Sequence, residues 1–259
     1  MVLTAGTSAL ALASGALVGA LLALFGGGGS VLATPLLLYV VGLRDPHVAL
    51  GTSTVAVAFN ATVNLAGHWR GGRVRWPCAL AFAAAGLAGS LAGSTVGKQV
   101  EGQRLLLFFA CAMAAIALSM LRKPRTEGNA AVRLTPALAV RLVPIGLVTG
   151  FAAGFFGIGG GFLIVPGLMA SVDMTMANAA ASSLVSVAVF GAATATNYAV
   201  SGLVDWPVAG IFILGGLAGG LAGLHGARIL AARVMLARRL FAGLILAVAA
   251  YVAWRALSA

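Results

Sequence analysis

The chain has 259 residues, 61% of them hydrophobic and 8% charged, with a mean hydropathy of +1.06. A soluble domain carries about 25% charged residues, so a chain this apolar cannot cover a water-facing surface, and an integral, multi-pass membrane protein is expected. The net charge of +11 would suit nucleic acid, but the basic residues fall between apolar runs, where they set membrane topology instead.

The first long apolar run covers 8–25. It has no basic segment before it and reads as structure, not as a signal peptide. The stretch LFGGGGSVLATP, 24–35, and a short apolar run, 29–41, follow. Long runs then cover 47–66, 76–97 and 104–121. The most polar segment, RKPRTEGNAAVRLTP at 122–136, reads as a linker. Beyond it come a long run at 137–156, the stretch FFGIGGGFLIVP at 155–166, a short run at 161–171, and long runs at 177–200, 207–226 and 235–254. Each long run is near the roughly 20 residues that a spanning helix needs, and the short ones cannot cross alone. Cys78 and Cys111 lie in apolar runs with no metal or disulfide spacing and read as packing residues.

The two sides of the linker repeat. Gly26, Gly28, Gly29 and Pro35 align with Gly157, Gly159, Gly160 and Pro166 at an offset of 131. GRVRWP at 72–77 aligns with GLVDWP at 202–207, and GLAGSLAG at 86–93 with GLAGGLAG at 216–223, at an offset of 130. The domains expected are an N-terminal repeat at 1–121, a cytoplasmic linker at 122–136 and a C-terminal repeat at 137–259. Each repeat holds a broken or re-entrant helix pair plus three full spans. The pair changes sides an even number of times and the three spans flip the chain, so the expected fold is all-α with two inverted repeats.

Inverted copies put matching loops on opposite sides, and charge should follow. GHWRGGRVRW carries Arg70, Arg73 and Arg75, whereas its copy VSGLVDW carries no basic residue. The next loop reverses the bias. One side collects twelve basic residues: those three, Arg122, Lys123, Arg125, Arg133, Arg141, Arg228, Arg233, Arg238 and Arg239. The other holds four: Arg44, Lys98, Arg104 and Arg255. The twelve are expected in the cytoplasm and both termini outside, in a bacterial inner membrane.

Glycine weakens a helix interior by about 1 kcal/mol relative to alanine, so the glycine clusters need a reason. In hydrocarbon, broken helices are tolerated only where they are buried in protein or line a cavity. Short, glycine-interrupted segments at matching positions of inverted halves are the sequence pointer to a transporter's substrate site. The short helices are expected to begin near Ser30 and Gly161, with unpaired N–H groups that favour an anion. Candidate binding residues are Gly28, Gly29, Ser30, Gly159, Gly160 and Gly161 at the breaks. Thr52, Ser53, Ser182 and Ser183 complete the set, because GTST at 51–54 corresponds to ASSL at 181–184. These hydroxyls could equally bond back to their own helices. GLAGSLAG and GLAGGLAG read as close-packing motifs, and Asn60, Asn64 and Asn197 as helix–helix hydrogen bonds. His47, His68 and His225 lie near run ends and read as interfacial, His68 being the one beside a basic loop. The five acids, Asp45, Glu101, Glu127, Asp173 and Asp205, lie in loops or at run ends, which argues against a buried carboxylate relay.

The pattern in GFFGIGGGFLIVP at 154–166, its copy ALFGGGGSVLATP at 23–35, and ALGTS at 49–53 resembles the TauE/SafE sulfite exporter family of membrane permeases, over nearly the whole chain. That resemblance implies a sulfur-containing anion as substrate: sulfite, sulfoacetate or another organosulfonate. Ala23 and Ser30 stand where the second copy has Gly154 and Gly161, so the two half-sites are expected to contribute unequally. The expected function is a secondary transporter, with an anion channel or a non-transporting assembly subunit as alternatives. An enzyme is not expected, since no paired aspartates or serine–histidine nucleophile can be placed in the spans, and no cofactor or metal motif appears. The partners implied are the small anion and the lipid bilayer, with homo-oligomerisation left open and no nucleic acid.

Overall fold

The computed structural model describes residues 4–121, 129, 132, 134–157, 161–230 and 234–258. Helix α1 (Ala5–Phe25) leads into a 3₁₀ turn, Gly26–Leu32, then α2 (Ala33–Leu36) and a π-helical turn, Leu37–Val41. There follow α3 (Pro46–Arg70), α4 (Trp76–Gly97), α5 (Gly102–Leu121), α6 (Pro136–Phe155), α7 (Gly161–Val172), α8 (Met176–Val200), α9 (Trp206–Leu230) and α10 (Val234–Ser258). No strand occurs among the described residues; Asn129 and Met174 form an isolated bridge. The fold is therefore all-α and polytopic, as expected.

Among the described residues, seven segments are long and apolar enough to cross a membrane: Ala5–Val41, Pro46–Arg70, Trp76–Gly97, Gly102–Ser119, Pro136–Phe155, Met176–Val200 and Trp206–Leu224. Their outer faces are aliphatic, with Val140, Val148, Val200 and Leu221 all exposed. Trp69, Trp76, Trp206 and Trp254 sit at helix ends, the depth at which indole rings meet headgroups.

Local chemistry explains the starts. Asp45 caps α3 by accepting from the N–H groups of His47 and Val48, with Pro46 in the first turn. Thr135 and Pro136 do the same for α6, and Thr175 caps α8. Positive φ values fall at matching positions of the two halves: Gly26 and Gly157 (61° and 59°), Gly42 and Asp173 (88° and 52°), Gly72 and Gly202 (66° and 69°).

The halves exchange partners. α1 packs along α9, and α6, its counterpart, packs along α4, the counterpart of α9. α3 packs on α8 and α5 on α10. The two long seams are glycine seams. Gly15, Gly19, Gly215 and Gly219 approach backbone across α1–α9, and Gly89, Gly93, Gly150 and Gly154 do so across α4–α6. The segments 86–93 and 216–223 are thus close-packing motifs, as expected. α3 and α8 run antiparallel: Gly51 lies against Tyr198 and Leu203, and Ala58 against Gly191.

Candidate functional site

The chain reverses at Gly26, whose backbone (φ 61°, ψ −142°) is one that L side chains rarely adopt. The 3₁₀ turn then folds back on α1, with Gly29 lying on the backbone of Leu21 and Leu22. Helical structure therefore resumes at Gly26 and not near Ser30. Ser30 itself lies inside the turn, where its hydroxyl donates to the Gly27 carbonyl at 2.8 Å, and that bond closes the turn. The glycine run has no side chains to oppose so tight a winding. In the second half α7 does begin at Gly161; Gly159 and Gly160 lie outside the described residues.

The two breaks meet. Gly27 and Gly161 lie backbone to backbone, and a Cβ on either would collide with the other. Gly28, Gly29 and Ser30 are buried beside them. Each break is tied to a long helix by a hydroxyl. Ser183 of α8 accepts from the Gly27 N–H at 2.9 Å and donates to its own Ala180 carbonyl. Thr54 of α3 donates to the carbonyls of Gly157 and Leu50. Ser53 donates to the Leu50 carbonyl and shares a 2.9 Å hydrogen bond with Thr34 of α2.

Thr52 and Ser182 serve a different place. Thr52 accepts from the Asp205 N–H in the loop after α8, and Ser182 accepts from the Arg75 N–H in the loop after α3, each at 2.9 Å. These equivalent bonds staple the start of each helix to the loop that ends the other. Ser30, Thr52, Ser53, Ser182 and Ser183 are all fully buried.

The three asparagines part company. Asn197 is a helix–helix partner, as expected: its amide donates to Ser94 and Thr95, and it accepts from the Lys98 Nζ. Asn64 instead donates along its own helix to the Asn60 carbonyl at 2.9 Å. Asn60, with neither amide atom bonded, departs from the helix–helix expectation. The hydroxyls of Ser186 and Tyr198 are likewise buried without a partner. Ser186 was open to sequence reading, standing one turn after Ser183.

The sulfite exporter TauE/SafE family profile matches residues 11–252. A probable membrane transporter protein of Xylella fastidiosa (strain 9a5c) is 49% identical over 243 residues, which cover 93% of each chain. The probable membrane transporter protein YunE of Bacillus subtilis (strain 168) is 25% identical over 230 residues, 81% of this chain and 84% of its own. A probable membrane transporter protein of Haemophilus influenzae is 30% identical over 168 residues, 62% of each chain. No solved structure matches.

Proposed function

We propose that this chain, which belongs to the sulfite exporter TauE/SafE family and is a multi-pass membrane transporter, carries a small sulfur-containing oxyanion such as sulfite, sulfoacetate or another organosulfonate. The observation that carries this reading is the backbone contact between Gly27 and Gly161, which sets two helix breaks against each other in the buried interior. Helix starts present N–H groups and a partial positive charge to an anion, and glycine lets the anion come close to the backbone. Gly28, Gly29, Ser30, Gly159, Gly160 and Gly161 are assigned to direct contact. Ser53 and Ser183 hold the breaks in place. Thr52 and Ser182 act at one remove, through the loops they staple.

The two halves, 1–121 and 137–259, are proposed to be inverted repeats around a cytoplasmic linker. The antiparallel packing of α3 on its counterpart α8 supports this, since a two-fold axis that relates two antiparallel spans lies in the membrane plane. With such an arrangement, rocking of one half against the other would alternate access to a site between the breaks.

The test is a thermal-shift screen of the purified protein against sulfite, sulfate, thiosulfate, sulfoacetate and taurine. A ligand at 100 times its Kd adds about 2.7 kcal/mol to apparent stability. The anion that shifts the melt is expected to enter proteoliposomes and to show counterflow against unlabelled substrate, as a carrier does and a channel does not. If no anion in the set shifts the melt or enters, the assignment is wrong.

A further inference from the structure

One face of α3 carries Asn60, Asn64 and His68 at four-residue spacing, so they stand above one another at about 6 Å per step. All three are buried, at 1%, 3% and 5% exposure. The row starts near the middle of α3 and ends beside the loop that bears Arg70, Arg73 and Arg75. His68 Nε2 pairs with the Ala23 carbonyl of α1 at 3.0 Å, which places this end of the row against α1. Asn60 lies on α9, its amide in the space that a Gly216 Cβ would take, and Gly19 of α1 touches the same Gly216. The row therefore follows the junction of α1, α3 and α9.

The equivalent junction in the other half is built from α4, α6 and α8, and at the positions of Asn60 and Asn64 it is filled. The residues matching Asn60 and Asn64 are Phe190 and Thr194. The Phe190 ring reaches the space beside Gly86 and Gly146 and lies 6.5 Å from the Phe82 ring. Thr194 is paired with Ser90 at 3.0 Å. The scaffold thus accepts an apolar ring where the first half has an amide. A buried amide with no partner is costly, and such orphans in native proteins mark a water, an ion or a ligand. Both amide atoms of Asn60 are orphaned, as is Nδ1 of His68.

We propose that Asn60 is a substrate-contacting residue, its amide N–H donating to an oxygen of the transported oxyanion at the inner end of a half-path that runs past Asn64 and His68 to the arginine-bearing loop. This deepens the anion-transport reading and rests on it. No acidic residue stands in the row, and its far end is basic, so the field along it favours an anion over a cation. A neutral amide donor binds an anion weakly enough to release it, which conduction along a path requires.

The experiment uses the full chain in detergent and in proteoliposomes, with sulfite as the probe. Asn60→Leu keeps the side chain's branching and removes both amide atoms. Its ligand-free melting temperature is expected to equal or exceed that of the wild type. Its sulfite-induced shift should vanish, and its initial uptake at low sulfite should fall at least about tenfold, the loss expected for a hydrogen bond to a charged group. Asn60→Ser, which retains a donor, is expected to keep a sulfite-dependent shift that Asn60→Leu lacks. Equal responses of the two variants overturn the assignment, as does an Asn60→Leu protein that melts lower than wild type, since the amide is then structural. A wild-type sulfite response that Asn60→Leu shares overturns this assignment alone. A wild type that answers to none of sulfite, sulfate, thiosulfate, sulfoacetate and taurine overturns the anion reading, and this assignment falls with it.

Discussion

Gly150 and Gly210 provide a matched test of what the glycines do. Both are helical, in α6 and α9. A Cβ on Gly150 would lie 2.7 Å from the Gly86 carbonyl carbon and closer still to its oxygen, whereas a Cβ on Gly210 would meet nothing within 4 Å. Alanine at either site gains about 1 kcal/mol of helix propensity. At Gly150 that gain is opposed by a collision with backbone, which no rotamer change relieves, so α4 and α6 must move apart. Overpacking costs about 1–3 kcal/mol, and a backbone clash belongs at the upper end. The net expectation is about 2 kcal/mol lost for Gly150→Ala and up to about 1 kcal/mol gained for Gly210→Ala. At roughly 2–4 °C per kcal/mol for a chain of this size, the first variant should melt about 4–8 °C lower and the second about 2–4 °C higher. Detergent-solubilised protein followed by intrinsic fluorescence during a thermal ramp resolves both. A Gly150→Ala protein as stable as Gly210→Ala would refute the glycine-seam account of how the halves hold together.

Three further outcomes are expected. Thr52→Val and Ser182→Ala each leave a backbone N–H, that of Asp205 or Arg75, without its acceptor; each is expected to lose about 1–3 kcal/mol in the same melt, and no loss in either would break the staple assignment. With Cys78 and Cys111 replaced by alanine, Gly128→Cys should react with a membrane-impermeant maleimide only in inside-out vesicles, whereas labelling of intact spheroplasts would reverse the proposed orientation. Gly160→Ala is expected to stop sulfite transport while leaving the melt near wild type; a variant that transports normally would remove Gly160 from the site.

Composition determined the solvent: with 8% of its residues charged, the chain has no surface to offer water. Local sequence also determined where α3 and α6 start, since Asp45–Pro46 and Thr135–Pro136 cap without help from elsewhere. The close-packing role of GLAGSLAG and GLAGGLAG was legible as well, because it followed from residue size. What a linear pattern lacks is the identity of the neighbour. A four-residue spacing puts Asn60, Asn64 and His68 on one face, but only the exchange of partners between halves decided that this face meets α1 and α9 and that Asn60 finds no hydrogen-bond partner there. Thr52 and Ser182 read from the sequence as ligand groups or self-bonding hydroxyls, yet their acceptors are filled by N–H groups from the opposite half, 153 and 107 residues away in the chain. The start of the first short helix was decided in the same way. Four glycines carry almost no conformational preference of their own, so contact with Leu21 and Leu22 of α1, not the run itself, set the turn at Gly26.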